Sequence, residues 1–330
     1  MTRTATAIAH PNIAFIKYWG NRDHALRIPT NGSLSMNLGL LRTTTTVVFD
    51  PALEKDQVVL DGRLLTGSSR ERVVNFLSLV REMSGDTARA RVESENNFPQ
   101  GAGIASSASG FAALALAASR AAGLALSRRA LSRLARRGSG SASRSIPAGF
   151  VEWQAGEDDL TSYAYSLAGK DHWALHDCIA LVSEGHKKVG STEGHVLAET
   201  SPVQPARIAD AGRRLDLCRE ALLERDFEAF GRVVEQDNHL MHAVMMTSQP
   251  PLLYWQPATL EVMLAVRRWR EEGIPVCYTI DAGPNVHVIC PADTAPEIVK
   301  RLRQLPGVNK VLESPPGGGA YLMPQEGHGV

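Results

Sequence analysis

Hydrophobic spacing along this chain shifts between a period of two and a period near 3.6, and the shifts mark out its elements. Residues 33–40 and 43–49 are rich in β-prone residues and predict strands. Asp61-Gly62, between the short apolar runs of 57–65, predicts a hairpin turn. Val73, Val74, Phe76, Leu77 and Val80 recur at helical spacing across 71–83. Residues 88–94 alternate like a strand, and the Ala-rich 103–126 predicts a closely packed helix.

In the second half, 150–153 and 173–183 predict strands, and 207–225, 227–246 and 260–272 predict helices. Residues 276–280, 286–290, 295–305 and 308–313 then read strand, strand, helix, strand. Strands and helices mix without strict alternation, which points to an α+β fold rather than a doubly wound parallel sheet. No repeat at a solenoid period is present, and the pattern leaves the sheet order open.

Composition adds exclusions. With 330 residues, 44% of them hydrophobic, the chain is long enough for one large domain or two lobes. Lys plus Arg and Asp plus Glu both total 35, so bulk attraction to nucleic acid or an anionic membrane is not expected. Any bound anion must be held by local groups. Cys178, Cys218, Cys277 and Cys290 form no CxxC pair and read as reduced core thiols of a cytoplasmic protein. The sequence shows no secretion signal and no membrane span.

Four segments carry candidate chemistry. In 97–110, Gly101 and Gly103 let the backbone turn tightly, and Ser106 and Ser107 fall in the first helical turn, where free N–H groups favour phosphate. A small-residue helix packed on a sheet is the competing reading. Ser139, Gly140, Ser141 and Arg144 could form a compact anion site, or a plain polar loop. Lys17 lies among apolar and aromatic residues in 12–23, so it either needs an anionic partner or reaches out to solvent. Asp281 ends an apolar strand before Ala-Gly-Pro and is placed either as a general base or as a turn former. His239 and His242 lack a third metal ligand, HExxH and GxSxG are absent, and the basic run 128–137 reads as a solvated helix face.

Taken in order, these segments resemble the ATP-dependent mevalonate diphosphate decarboxylases of the GHMP kinase superfamily. Residues 12–23 resemble the family's NIAxxKYWGKRD, and 99–110 its PxxAGxASSAxG phosphate loop. Residues 138–153 resemble GSGSAxRSxxGGFVEW, 281–285 resemble DAGPN, and 190–192 resemble GST. The resemblance implies a two-lobed GHMP-kinase fold, with a ribosomal-protein-S5-like N-terminal lobe (1–185) and a ferredoxin-like C-terminal lobe (186–330), paired as a homodimer. It also implies a reaction in which ATP, with Mg²⁺, phosphorylates the tertiary 3-hydroxyl of a 5-phosphorylated mevalonate. Loss of that phosphate and of CO₂ then leaves an isopentenyl product. Asp281 matches the base, Arg144 the group that fixes the carboxylate, and Lys17 the cation near the 3-oxygen. Gly101, Gly103, Ser106 and Ser107 match the ATP-phosphate grip. Asn12, Tyr18, Asn21, Ser139, Gly140, Ser141, Arg144 and Thr192 match substrate-binding positions. No carboxylate cluster marks metal ligands.

One departure bears on the substrate. Position 21 is Asn where the family pattern has Lys, and the stretch at Thr192 lacks the Arg that some bacterial members carry. Fewer cations weaken the hold on a diphosphate, so 5-phosphomevalonate is expected, with isopentenyl phosphate as product. The diphosphate remains the alternative if Lys187, Lys188 or Arg22 replaces the missing charge. A small-molecule kinase that stops at phosphoryl transfer and a non-catalytic nucleotide-binding module are further alternatives.

Overall fold

The computed structural model describes residues 2–99, 106–183, 185 and 189–324. Its first sheet has six strands, ordered Tyr321–Leu322, Arg3–Ala9, Thr43–Asp50, Arg89–Asn96, Gln57–Leu60 and Arg63–Leu64. Gln57–Leu60 runs parallel to Arg89–Asn96, and the other pairs are antiparallel. The hairpin at Asp61-Gly62 forms as its sequence demands, with both residues at positive φ (47° and 75°). Thr43, Thr45, Val47 and Phe49 alternate into the core. Helix Ser106–Ala121 covers that face with Ala112, Ala113, Ala115, Ala117 and Ala118, all fully buried, so helix and sheet approach closely.

A four-stranded sheet follows the order Tyr163–Ala168, Phe150–Gln154, Ser33–Asn37, Asn12–Ile16. A second four-stranded sheet, in the order Cys277–Thr279, Val286–Pro291, Leu175–Leu181, Lys310–Ser314, is antiparallel throughout. Helices Ala211–Glu224 and Phe227–Thr247 join both sheets in one core, where Phe15, Met36 and Phe150 meet Phe230, Val234, Ile179 and Ile289. The result is the mixed α+β, two-lobed architecture expected from the sequence, with the lobes sharing a core. Leu175–Leu181 pairs only with strands of the second half, so the chain changes sheets ahead of the 185/186 division expected above.

The departures have physical causes. Asn12–Ile16 is buried at every position and Arg3–Ala9 at four of seven, so neither shows clean alternation. The helix expected over 207–225 is two helices, Gln204–Ala209 and Ala211–Glu224, meeting at Asp210, whose carboxylate takes Arg213 and Arg214. The basic run is corrected: helix Arg128–Gly138 is not a solvated face. Arg136 is fully buried, donating to the Leu26 and Ser162 carbonyls and to Asp159. Arg133 also binds Asp159, and Arg128 caps the Ile146 carbonyl. The four cysteines are free and buried, and no helix among the described residues is long and apolar enough to cross a membrane.

Arg136→Ala is expected to destabilise the protein by about 2–4 kcal/mol, because it strands the Leu26 and Ser162 carbonyls and leaves the Asp159 carboxylate to Arg133 alone. Denaturant titration checks this; an unchanged midpoint would show that these bonds carry no net stability.

Candidate active site

The Asn12–Ile16 strand, the start of helix Ser106–Ala121, the segment 139–144, the segment 190–195 and the turn at Asp281 converge on a cavity of about 360 Å³. Its wall includes Asn12, Lys17, Tyr18, Ser106, Ser107, Ser139, Gly140, Ser141, Arg144, Thr192 and Asp281. Residues spread over most of the chain therefore face one space. Gly101 and Gly103 lie outside the described residues, as do Lys187 and Lys188.

At the centre, Lys17 Nζ donates to Asp281 Oδ1 at 2.6 Å. The lysine is 1% exposed and the aspartate 26%, so the pair opens on the carboxylate side. Burial drives the Asp281 carboxyl upward, but Lys17, His287 and Arg144 together outweigh it and hold it below the usual range. Burial pulls the Lys17 ammonium down against the opposing pull of Asp281. Helix Phe227–Thr247 fixes both partners from behind with adjacent residues. Asp237 accepts the Lys17 backbone N–H at 2.6 Å, and Asn238 Oδ1 accepts that of Ile280 at 2.8 Å. Arg214 in turn holds Asp237 at 2.8 Å, and Arg207 donates to the carbonyls of Lys17 and Trp19.

Arg144 sits on a 3₁₀ helix, Gly140–Ser145, where the sequence left open a polar loop. Its Nε donates to Asn12 Oδ1 at 3.2 Å and its Nη1 to Ser33 Oγ at 2.6 Å. Nη2 has no partner among the described residues and is available to an anion. Burial pushes the guanidinium down to about 10, still cationic at neutral pH. Asn12 Nδ2 donates to the Ser141 carbonyl and Ser145 Oγ, locking strand to 3₁₀ helix. Gly140 is required by close approach, since a β-carbon there would fall 2.4 Å from the Tyr18 ring. Ser107, Ser139 and Ser141 hydroxyls form a chain with spacings of 3.2 and 3.5 Å, linking the helix start to the 3₁₀ turn.

Asn21 differs from its expected place. It is buried and does not line the cavity; its Oδ1 accepts the Tyr18 hydroxyl proton from beneath. Burial pushes the Tyr18 phenol up to about 12, so it stays protonated and donates. Sequence reasoning missed Arg27, Arg72 and His195, which also line the cavity. Two isolated arginines in a turn and on a helix resemble solvated charges, so no sequence signal singles them out. His195 stacks on Tyr18 with centroids 4.1 Å apart, and its Nδ1 accepts the Gly20 N–H at 2.9 Å, which leaves the ring proton on Nε2. Burial, with Arg27 adding to it, pushes this imidazole down to about 3, so it is neutral in the working range.

A second cavity, of about 450 Å³, shares Arg72, Ser106, Ser107 and Thr192 and continues over Val58, Leu65, Val73 and Phe111. Among the described residues no group of three or more His, Cys, Asp or Glu could hold a metal ion. Ser106 and Ser107 instead offer hydroxyl oxygens, ligands that suit a hard cation already carried by phosphates.

Fold and site together define a GHMP-kinase-type enzyme, in which a helix start with serines faces a buried Lys–Asp pair. Residues 9–164 match the diphosphomevalonate decarboxylase-like N-terminal domain, and 178–315 the mevalonate 5-diphosphate decarboxylase C-terminal domain. The chain belongs to this family of ATP-dependent decarboxylases. It is 37% identical to diphosphomevalonate decarboxylase of Ganoderma lucidum, covering 90% of this chain and 80% of that one. It is 36% identical to phosphomevalonate decarboxylase of Haloferax volcanii, covering 91% of both. The structure of mevalonate diphosphate decarboxylase from Staphylococcus aureus matches with a TM-score of 0.94 and 38% identity over 98% of this chain and 99% of that one. Another, solved in complex with MVAPP, AMPPCP and magnesium, matches at 0.92 and 39% over the same shares.

The pair predicts a pH response. In the wild type Asp281 stays ionised until pH falls below the ordinary carboxylate range. Lys17→Met removes its nearest cation while burial persists, so the Asp281 titration midpoint should move up. Carboxyl-carbon NMR on aspartate-labelled protein measures it; a midpoint that stays put would mean Lys17 does not hold the carboxylate in its charged form.

Proposed function

We propose that this enzyme decarboxylates 5-phosphomevalonate to isopentenyl phosphate, with ATP converted to ADP and phosphate. The observation that carries the reading is the 2.6 Å Lys17–Asp281 pair sharing a cavity with Arg144 and the Ser106–Ser107 helix start. A tertiary alcohol is a poor nucleophile, and Asp281 is the carboxylate placed to take its proton. Being held ionised makes Asp281 a weak base, so the proton leaves late, as the 3-oxygen bonds to the γ-phosphorus and ADP departs. Lys17 steadies the negative charge on the oxygen and carboxylate. Next the carbon–oxygen bond breaks and the electron pair leaves with phosphate. The bond to the carboxyl carbon then supplies the electrons of the new double bond, and CO₂ departs. Arg144, anchored by Asn12 and Ser33, keeps that carboxylate aligned.

The nucleotide phosphates rest at the serine-bearing helix start, and the adjoining 450 Å³ cavity, apolar along Val58, Leu65 and Phe111, suits the base. Ser106 and Ser107 would hold Mg²⁺ together with those phosphates, and the ion supplies neutralising charge there.

Two observations favour the monophosphate. Asn21 is neutral, buried and occupied by Tyr18. Arg22, one of the charges able to replace a lysine, is turned away from the cavity and donates to the Gly156 carbonyl. Diphosphomevalonate is the second reading, favoured by the names of most of the relatives that resemble the chain.

Asp281→Asn and Arg144→Ala should each lower kcat by roughly 10²–10⁴-fold with the fold kept. ADP and CO₂ should appear in equal amounts; ADP without CO₂ would make the protein a kinase instead. Competing the two substrates should give a higher kcat/KM for 5-phosphomevalonate, and Asn21→Lys should shift preference toward the diphosphate. A wild-type preference for the diphosphate would end the monophosphate reading.

A further inference from the structure

Several buried or half-buried arginines elsewhere in this protein face carboxylates: Arg81 binds Asp56, Arg136 binds Asp159, Arg214 binds Asp237 and Arg219 binds Glu152, while buried Arg207 is spent on backbone carbonyls and Asn31. The cavity holds two arginines that none of these arrangements fully satisfies. Arg27 and Arg72 both line it, and neither has a carboxylate partner among the described residues. Their charges also act on each other. Burial, then Arg27, pushes the Arg72 guanidinium down to about 10. Partly buried, unpaired positive charge is costly unless an anion arrives to share the space.

The two arginines have different surroundings. Arg72 sits on helix Gly67–Ser84, donates twice to the Gly138 carbonyl and lies 4.7 Å over the Phe111 ring. It also lines the second cavity, which places it on the nucleotide side. Arg27 lines only the first of these two. Its Nε donates to the Arg137 carbonyl at 3.2 Å, and its two terminal nitrogens have no partner among the described residues. A guanidinium held at Nε with its fork free is arranged for an anion with two oxygens in one plane.

Position also matters. Asn21–Asp23 pairs with Ile28–Pro29, so Asn21 and Arg27 belong to one short ribbon. Arg27 closes its turn at φ 53°, a conformation that residues with a β-carbon rarely adopt. A glycine or asparagine would suit that backbone better, so the turn alone does not explain an arginine. The ribbon carries a neutral side chain where the family pattern has lysine, and a cation six positions later.

We propose that Arg27 grips the phosphate bonded to the 5-oxygen of the substrate, supplying through the turn of the ribbon the charge that position 21 lacks. This rests on the reading that the cavity takes a 5-phosphorylated mevalonate, and it holds for either phosphorylation state because that phosphate is common to both. Arg144 remains on the carboxylate and Lys17 on the 3-oxygen, so the three cations each serve a different part of one molecule. Arg27 is therefore a specificity residue for the phosphorylated end of the substrate.

The test is steady-state kinetics of Arg27→Gln and Arg27→Lys with 5-phosphomevalonate, with 5-diphosphomevalonate and, separately, with varied ATP. Arg27→Gln should raise KM for both mevalonate substrates by roughly 10–100-fold, leaving kcat and the KM for ATP within about threefold of wild type. Arg27→Lys, which keeps the charge and loses the fork, should fall between; it also serves if the glutamine variant is poorly folded by thermal melt. Unchanged KM values for both substrates would overturn the proposal. So would a rise confined to ATP, which would move Arg27 to the nucleotide, or one confined to the diphosphate, which would move it to the outer phosphate. The wild-type ratio between the two substrates reports on the monophosphate reading independently of all these outcomes.

Discussion

The site depends on a buried ion pair whose two backbones are fixed by neighbouring residues of one helix. Asp237 takes the N–H of Lys17, and Asn238 takes that of Ile280, one residue before Asp281. An ammonium and a carboxylate removed from water are stable only when their geometry is good and their remaining polar groups are satisfied. Here the geometry is imposed from behind, by a helix packed in the shared core of both lobes. Arg214 and Arg207 extend the support, one on Asp237 and the other on the carbonyls of Lys17 and Trp19. The 264 residues separating the partners in sequence are thus irrelevant to their 2.6 Å separation.

Around that pair the cavity is biased toward anions. Lys17 has its charge answered by Asp281, whereas Arg27, Arg72 and Arg144 present guanidinium groups with no carboxylate of their own among the described residues. Neutral His195 and protonated Tyr18 add hydrogen-bonding groups without adding charge. The net charge of the whole chain is zero, so this local excess comes from placement rather than composition. Such an arrangement suits a substrate with a carboxylate at one end, a phosphate at the other and a nucleotide phosphate between.

Much of the candidate site was legible in the chain. Lys17 among aromatic residues, Asp281 before a Gly-Pro turn, the Ser106–Ser107 helix start and Arg144 in a Gly/Ser segment all stand out by residue type and neighbours. All of them line one cavity. Arg27, Arg72 and Arg136 were not legible, because an arginine looks the same in sequence whether it faces water, a carbonyl or a ligand. Burial of the Arg128–Gly138 face came from the Leu26 turn and the Asp159–Ser162 segment folding over it, contacts more than twenty residues away in the chain.

By itself, the sequence determined the local elements and the chemical inventory. The hairpin at Asp61-Gly62, the alternating strand at Thr43–Asp50 and the Ala-rich helix follow from steric preference and periodicity, which act over a few residues. Only the tertiary structure decided the strand order, the shared core and which charges go unpaired. Those outcomes depend on burial and on contacts between distant segments, and solvation of a charge is a property of its surroundings in space. Asn21 shows the difference most plainly. Its neutrality could be read from the chain, but its place beneath the Tyr18 hydroxyl, outside the cavity wall, exists only in the fold.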